Sequence, residues 1–304
     1  MPQAQSGICA EANLHGMYLL LNVLDGHDDF IATKLIKIIE LQEEFADQFS
    51  EALLSCVVAV GAEYWPHLSP DKLPLGLTGF PQLDAPDYVM PSQPYDLFIQ
   101  IRSDRSDVNH LFGLRVLHIL SPDVELVEQI KCFRFLDGRD FNGFIYGADL
   151  PHGKGKRKAA LIEAQDPEFH LGSFVNIQRF RHNLNKWQQL SIEDQEYIMG
   201  RTRLDNQLVA NISPNSHALC VELKDFSGHP IMLEQGMPYG DMNEQGMFSV
   251  CYSGDAKAFK RLLESRLGDG VQYDHWLDYC TADMGATFFA PSIDFLKQLA
   301  QRQL

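Results

Sequence analysis

Apolar positions along this chain alternate between two periods. MYLLLNVL (17–24) is a near-continuous apolar run, as expected of a strand buried on both faces. From Ile31 the period lengthens, and Ile31, Leu35, Ile38, Ile39 and Phe45 fall on one side of a helix. LLSCVVAVG (53–61) and YDLFIQIRS (95–103) return to strand character, with a long Pro-rich connection from Trp65 to Pro94 between them. Ser106 and Asp107 are placed to cap a helix over 108–120, and VELVEQIKCFRF (124–135) predicts a further strand. The same order then returns. A strand is predicted over 172–184 and a helix over 191–202, with Ser191 as cap and Glu193 and Asp194 in its first turn. HALCVELKD (217–225) and GMFSVCYS (246–253) read as strands. An amphipathic helix over 256–268 ends at Gly268, ATFFAPS (286–292) reads as the last strand, and IDFLKQLAQ closes the chain.

Each half therefore reads β-α-β-β-α-β. The expected class is α+β: two duplicated ferredoxin-like halves, residues 1–150 and 151–304, whose antiparallel sheets pack together with helices outside. The seam falls near 145–170.

Composition narrows the functional classes. The 304 residues carry a formal net charge of −16, which argues against general nucleic-acid binding. The basic cluster HGKGKRK (152–158) lacks the Gly-Lys-Ser/Thr of a phosphate loop and reads as a solvated loop. No run approaches the length of a membrane helix, and the N-terminus has no basic start or apolar signal core, so a cytoplasmic protein without membrane contact is expected. The six cysteines form no CxxC pair and no zinc spacing, which suits reduced, buried thiols.

Three stretches place polar residues where packing alone would not ask for them: RFLDGRDFNGF (134–144), PNSHALCVEL with His217, and MLEQGMPYG (232–240) with Glu234. Asp137-Gly138 is a common turn pair, His217 suits a satisfied core position, and Glu234 suits a strand end, so each has a structural reading beside a catalytic one. GxSxG, HExxH and GxGxxG are all absent, which removes support for a serine hydrolase, a zincin and a dinucleotide fold.

Taken together, QSGICAEANLHGMYLLLNV, YDLFIQIRSDRSDVN, NSHALCVEL, GMPYG, FFAPSIDFL and above all the block Gly172–Arg203 resemble the dye-decolorizing peroxidases, in their bacterial cytosolic branch. The resemblance implies the dimeric α/β-barrel-like superfamily and heme b between sheet and helices. It also implies reduction of hydrogen peroxide with oxidation of a small aromatic or other one-electron donor, and a homo-oligomer. The family's axial ligand matches His217, in Ser216-His217. Asp278, before the last strand, is the expected carboxylate partner of that imidazole. Arg201 matches an arginine that pairs with a heme propionate. The family's distal GxxDG matches Arg134 to Gly138, which puts Asp137 over the iron as acid/base, with Gly138 and Arg139 against the cofactor.

The resemblance also marks departures. Glu234 stands where members carry a distal arginine, Gly236 where Ser or Asn is common, and Ser249 where an aromatic lines the pocket. Loss of a preorganised cation at such a site costs on the order of 10²–10³ in rate. Asp137 and Glu234 are expected to disturb each other's ionisation, with Arg139 or Arg134 as replacements for the lost charge. Weakened peroxidase activity is one outcome; a heme carrier or sensor without peroxidase chemistry is the alternative. Some members carry a C-terminal extension that targets them into protein cages; with the ending FLKQLAQRQL, none is expected here.

Overall fold

The first apolar run forms β1 (His15–Val23) in a computed structural model that describes residues 3–83, 88, 90–147, 150–164, 166–269 and 271–302. Met17, Leu19 and Leu21 point one way and Tyr18 and Leu20 the other, and all five are buried. A strand buried on both faces needs cover on both, and the rest of the chain supplies it. Helix α1 (Ile31–Gln48) follows, then β2 (Ser55–Gly61), the single turn α2 (Trp65–Leu68), β3 (Leu97–Ser103), α3 (Ser106–Leu120) and β4 (Val124–Phe133). The second half runs α4 (Lys154–Ala160), β5 (Ser173–His182), α5 (Leu184–Trp187), α6 (Ile192–Met199) and α7 (His217–Val221). It continues with β6 (Leu233–Glu234), β7 (Met237–Gly240), β8 (Gln245–Ser253), α8 (Ala258–Leu267), β9 (Cys280–Ala290) and α9 (Ile293–Arg302). Part of the Pro-rich connection, residues 84–87 and 89, lies outside the described residues.

The strands form one antiparallel sheet in the order β5-β9-β2-β3-β1-β4-β7-β8-β6. β5 also pairs with β8, from Phe174↔Ser253 to Arg181↔Gly246, so the sheet closes into a barrel. The expectation of two sheets packed face to face is therefore corrected. Closure pairs the backbone edges that two open sheets would leave free. Inside the barrel, Tyr18, Val57, Phe98, Ile177, Phe248 and Tyr252 interlock. Outside, α1, α3 and α9 cover the alternate residues of β1, β2 and β3. A third cluster of Phe144, Phe180, Trp187, Met199 and Trp276 lies by β5, α5 and α6.

Two local expectations also change. Residues 217–221 are helix rather than strand: Ser216, with extended φ and ψ, stands at the N-cap, and so short an apolar run fits either period. The basic stretch at 154–160 is the helix α4, and Lys156 is buried rather than solvated.

Candidate active site

Helix α6 and the turn before α7 meet where the barrel wall faces outward. Ser191 caps α6 by accepting from the Asp194 amide at 3.1 Å, and Gly200 ends it in the left-handed region at φ 77°. A Cβ on Gly200 would stand 2.7 Å from Ser216 Oγ, so glycine lets the end of α6 lie against the start of α7. Arg201 and His217 are thereby brought to one cavity. It is lined on the barrel side by Gln178, Phe180, Met247 and Ser249, and on the helix side by Met199, Leu262 and Arg266.

His217 is oriented by a carboxylate. Its Nδ1 lies 2.9 Å from Asp274 Oδ2, and Arg266 Nε donates to the same oxygen at 2.8 Å. Asp274 Oδ1 accepts from the Trp276 amide at 3.0 Å, because Asp274 caps the turn His275–Asp278. Burial alone would push the fully enclosed Asp274 up. The charges of His217 and Arg266 and their hydrogen bonds outweigh it and hold the carboxyl well below its usual range. An ionised Asp274 only accepts, so His217 Nδ1 is the donor of this pair. Nε2 makes no hydrogen bond to a described residue, and the ring lines the cavity.

Asp278 was expected in the role that Asp274 fills. Its carboxylate instead accepts from the Tyr273 and Tyr88 hydroxyls at 3.2 Å, outside the cavity. The two acids both precede β9, but only Asp274 stands at an N-cap, where the side chain folds back over its own turn.

A second part of the wall is built by β6. Glu234 pairs in register with Cys251 on β8, next to Ser249, and Ser249 Oγ donates to Glu234 Oε1 at 2.6 Å. Tyr146 joins them. Its hydroxyl accepts from the Gly236 amide at 3.1 Å and is hydrogen-bonded to Glu234. Burial of that hydroxyl first, and the Glu234 carboxylate second, push the Tyr146 pKa far up, so the phenol keeps its proton. Gly236 is required here, since a Cβ would overlap the Tyr146 hydroxyl.

Asp137 does not reach this cavity. Phe135 O accepts from the amides of both Gly138 and Arg139, and Leu136 and Asp137 take φ of 37° and 60°, which makes a tight turn with Asp137 exposed at its tip. Asp137, Gly138 and Arg139 line a neighbouring cavity that lacks His217. Asp137, Gly138 and Arg139, expected at the cofactor, thus lie on the cavity adjoining that of His217 rather than on the same one. Of the two arginines expected to replace the distal cation, Arg139 donates to the carbonyls of Gly143, Arg203 and Leu204, and Arg134 to that of Asp137. Of the residues singled out in the sequence, His217, Arg201, Glu234 and Ser249 share the cavity. The sequence reading missed Tyr146, Asp274 and Arg266. It also missed the buried pair of His182 Nε2 and Asp140, 2.9 Å apart in the same cavity. His182, a polar residue ending an apolar strand, and Asp140, inside RFLDGRDFNGF, were the available signals.

Comparison with known proteins identifies the family. Family models described as the N-terminal and C-terminal parts of Dyp-type peroxidase match residues 5–134 and 137–295. The dye-decolorizing peroxidase of Mycobacterium tuberculosis is 35% identical over 80% of this chain and 75% of its own. A structure from Shewanella oneidensis assigned to the dyp-type peroxidases superposes with a TM-score of 0.94 at 38% identity, over 98% of this chain and 99% of that one. A DypB variant from Rhodococcus jostii RHA1, solved in complex with heme, gives 0.91 at 29% identity over 98% and 99%.

Proposed function

The chain belongs to the Dyp-type peroxidase family and is a heme-dependent peroxidase; from that premise we propose that His217 holds the iron of a heme b, and that Glu234 slows its peroxide chemistry. The observation that carries the ligand assignment is His217 Nδ1 fixed on buried Asp274 with Nε2 bare in the cavity. The donor set fits the cofactor. An imidazole oriented through Nδ1 by a carboxylate suits iron, Phe180, Met199, Met247 and Leu262 suit a flat apolar ring, and Arg201 suits its carboxylates. When bound, heme supplies the iron that reduces hydrogen peroxide and the oxidising power that a small donor consumes.

The chain's own residues then set the proton chemistry. Asp274 and Arg266 keep His217 in one tautomer. Tyr146 and Ser249 direct hydroxyl protons at Glu234, so this wall holds a proton acceptor between two donors. A carboxylate there does not stabilise negative charge developing on oxygen, as a cation would. Turnover below that of the arginine-bearing relatives follows. Hemin titration tests the assignment: His217→Ala should lose the histidine-ligated Soret spectrum, and an unchanged spectrum refutes it. Mixing the loaded protein with one equivalent of peroxide then separates a slow peroxidase from a carrier or sensor, in which the Soret band would not move.

The same reading takes residues 1–150 and 151–304 as duplicated ferredoxin-like halves of one barrel. The strand runs β2-β3-β1-β4 and β9-β5-β8 support it. It places the protein in the cytoplasm, which its free cysteines support, and as a homo-oligomer. No helix among the described residues is long and apolar enough to cross a membrane.

A further inference from the structure

A second cavity starts where the first ends, sharing Tyr146, Glu234 and Leu150 with it. It measures 270 Å³ and takes in Arg102, Arg134, Arg139 and Lys156. In a chain with a net charge of −16 this gathering of cations asks for a reason. Lys156 is paired with Glu11 at 2.8 Å. The three arginines have no carboxylate partner among the described residues. Arg134 and Arg139 give their hydrogen bonds to backbone carbonyls. Arg102 is the most constrained. It is only 4% exposed, its one hydrogen bond runs from Nη1 to Gln235 Oε1 at 3.1 Å, and its Nε is buried without a partner.

A guanidinium buried beside a neutral amide is costly unless an anion completes it. Its planar fork matches a carboxylate through two parallel hydrogen bonds. The apolar part of the lining includes Phe135, Leu233, Met237 and Pro238; Asn13, Tyr146, His152 and Gln235 add neutral or weakly basic polar groups, and Asp137 and Glu234 are the acids on it besides the paired Glu11. A volume just below the range usual for drug-sized ligands, about 300–1,000 Å³, suits a single ring. We propose that this cavity binds a small aromatic carboxylate, its charge on Arg102 and its ring against Phe135, Leu233 and Met237. The proposal stands on the cavity's own geometry and not on the assignment of His217.

Calorimetric titration of the heme-loaded full chain with benzoate tests it, with benzamide as the uncharged isostere and inorganic phosphate as an anion without a ring. Benzoate should saturate one site, and benzamide and phosphate should each bind at least tenfold more weakly. Arg102→Met should weaken benzoate at least tenfold. Should that buried substitution prevent folding, the exposed Arg134→Ala, expected to weaken benzoate about threefold through lost attraction across the cavity, decides instead. Benzoate at saturation should leave the Soret band in place; a shift would place the ligand in the other cavity and overturn the proposal. Absence of saturation, equal binding of benzamide or phosphate, or unchanged affinity in the deciding arginine variant would also overturn it. Hemin titration reads the His217 assignment separately, so the two readings fail independently.

Discussion

On the His217 side of the first cavity, charges alternate: Arg266 and the imidazole flank Asp274, whose two oxygens accept three hydrogen bonds. On the Tyr146 side, two hydroxyls converge on one carboxylate, and no cation is hydrogen-bonded to Glu234 among the described residues. Burial acts on both sides with opposite outcomes. At Asp274 the neighbouring positive charges overcome it and keep the acid ionised, whereas at Tyr146 the neighbouring carboxylate adds to it and keeps the acid neutral. The first arrangement fixes the orientation of an imidazole; the second gathers two hydroxyl donors on one carboxylate, with no cation hydrogen-bonded to it among the described residues.

The sharpest way to break this contrast is to remove the imidazole. His217→Ala should abolish histidine-ligated heme binding while leaving the Tyr146–Glu234–Ser249 cluster in place. A smaller change on the same side is Asp274→Asn. It keeps the shape and removes the charge that fixes the tautomer, and heme affinity should fall by about 10–100-fold. The same variant reports on acid stability. Asp274 has a folded pKa held below its unfolded value, so its contribution is present above the unfolded value, about 3.9, and is lost as pH falls through the folded one. Melting temperatures of the apoprotein should therefore drop more steeply below about pH 4 in the parent chain than in Asp274→Asn. Parallel curves would show that the carboxylate is not stabilised by its neighbours.

On the other side, Glu234→Gln removes the negative charge and keeps an acceptor for Ser249. The rate of the Soret change with peroxide should rise on the order of tenfold, since a charge repelling the developing anion is gone. A fall in rate would mean that Glu234 serves as the proton acceptor and that its charge helps more than it hinders.

How much of this was legible in the sequence follows from how local each feature is. β1 is a near-continuous apolar run, β3 and β5 are rich in β-branched and aromatic residues, and α6 and α8 carry their own stop signals at Gly200 and Gly268. Closure of the barrel depends on β5 choosing β8 as well as β9, a long-range pairing with no local mark. The His217 segment was misread because five apolar-rich residues fit a helix turn and a strand equally. Within the site, His217, Arg201, Glu234 and Ser249 were found because each sits in a recognisable motif or departs from one. Asp137 was singled out for the same reason, and its Asp-Gly pair forms the turn that the pair also predicted. Tyr146 carries no motif, and its role arises only from the approach of Gly236 across 90 residues of chain.

That approach gives the finest test of the Tyr146 side. Gly236 leaves room for the tyrosine hydroxyl and donates its amide to it, so the absence of a side chain at 236 and the presence of one at 146 are a single fact of packing. Gly236→Ala should force the ring aside and lower stability by about 1–3 kcal/mol. Tyr146→Phe alone removes the hydroxyl and should cost about 1 kcal/mol, leaving the Gly236 amide without this partner. In the double variant the methyl group meets an edge that has lost its oxygen, so the two costs should not add. Residues in contact typically show interaction energies of about 0.5–3 kcal/mol, and denaturant titration of the four chains measures this one. Simple additivity would show that the hydroxyl and the glycine are neighbours without being coupled, and that Glu234 and Ser249 alone hold the proton network on this side.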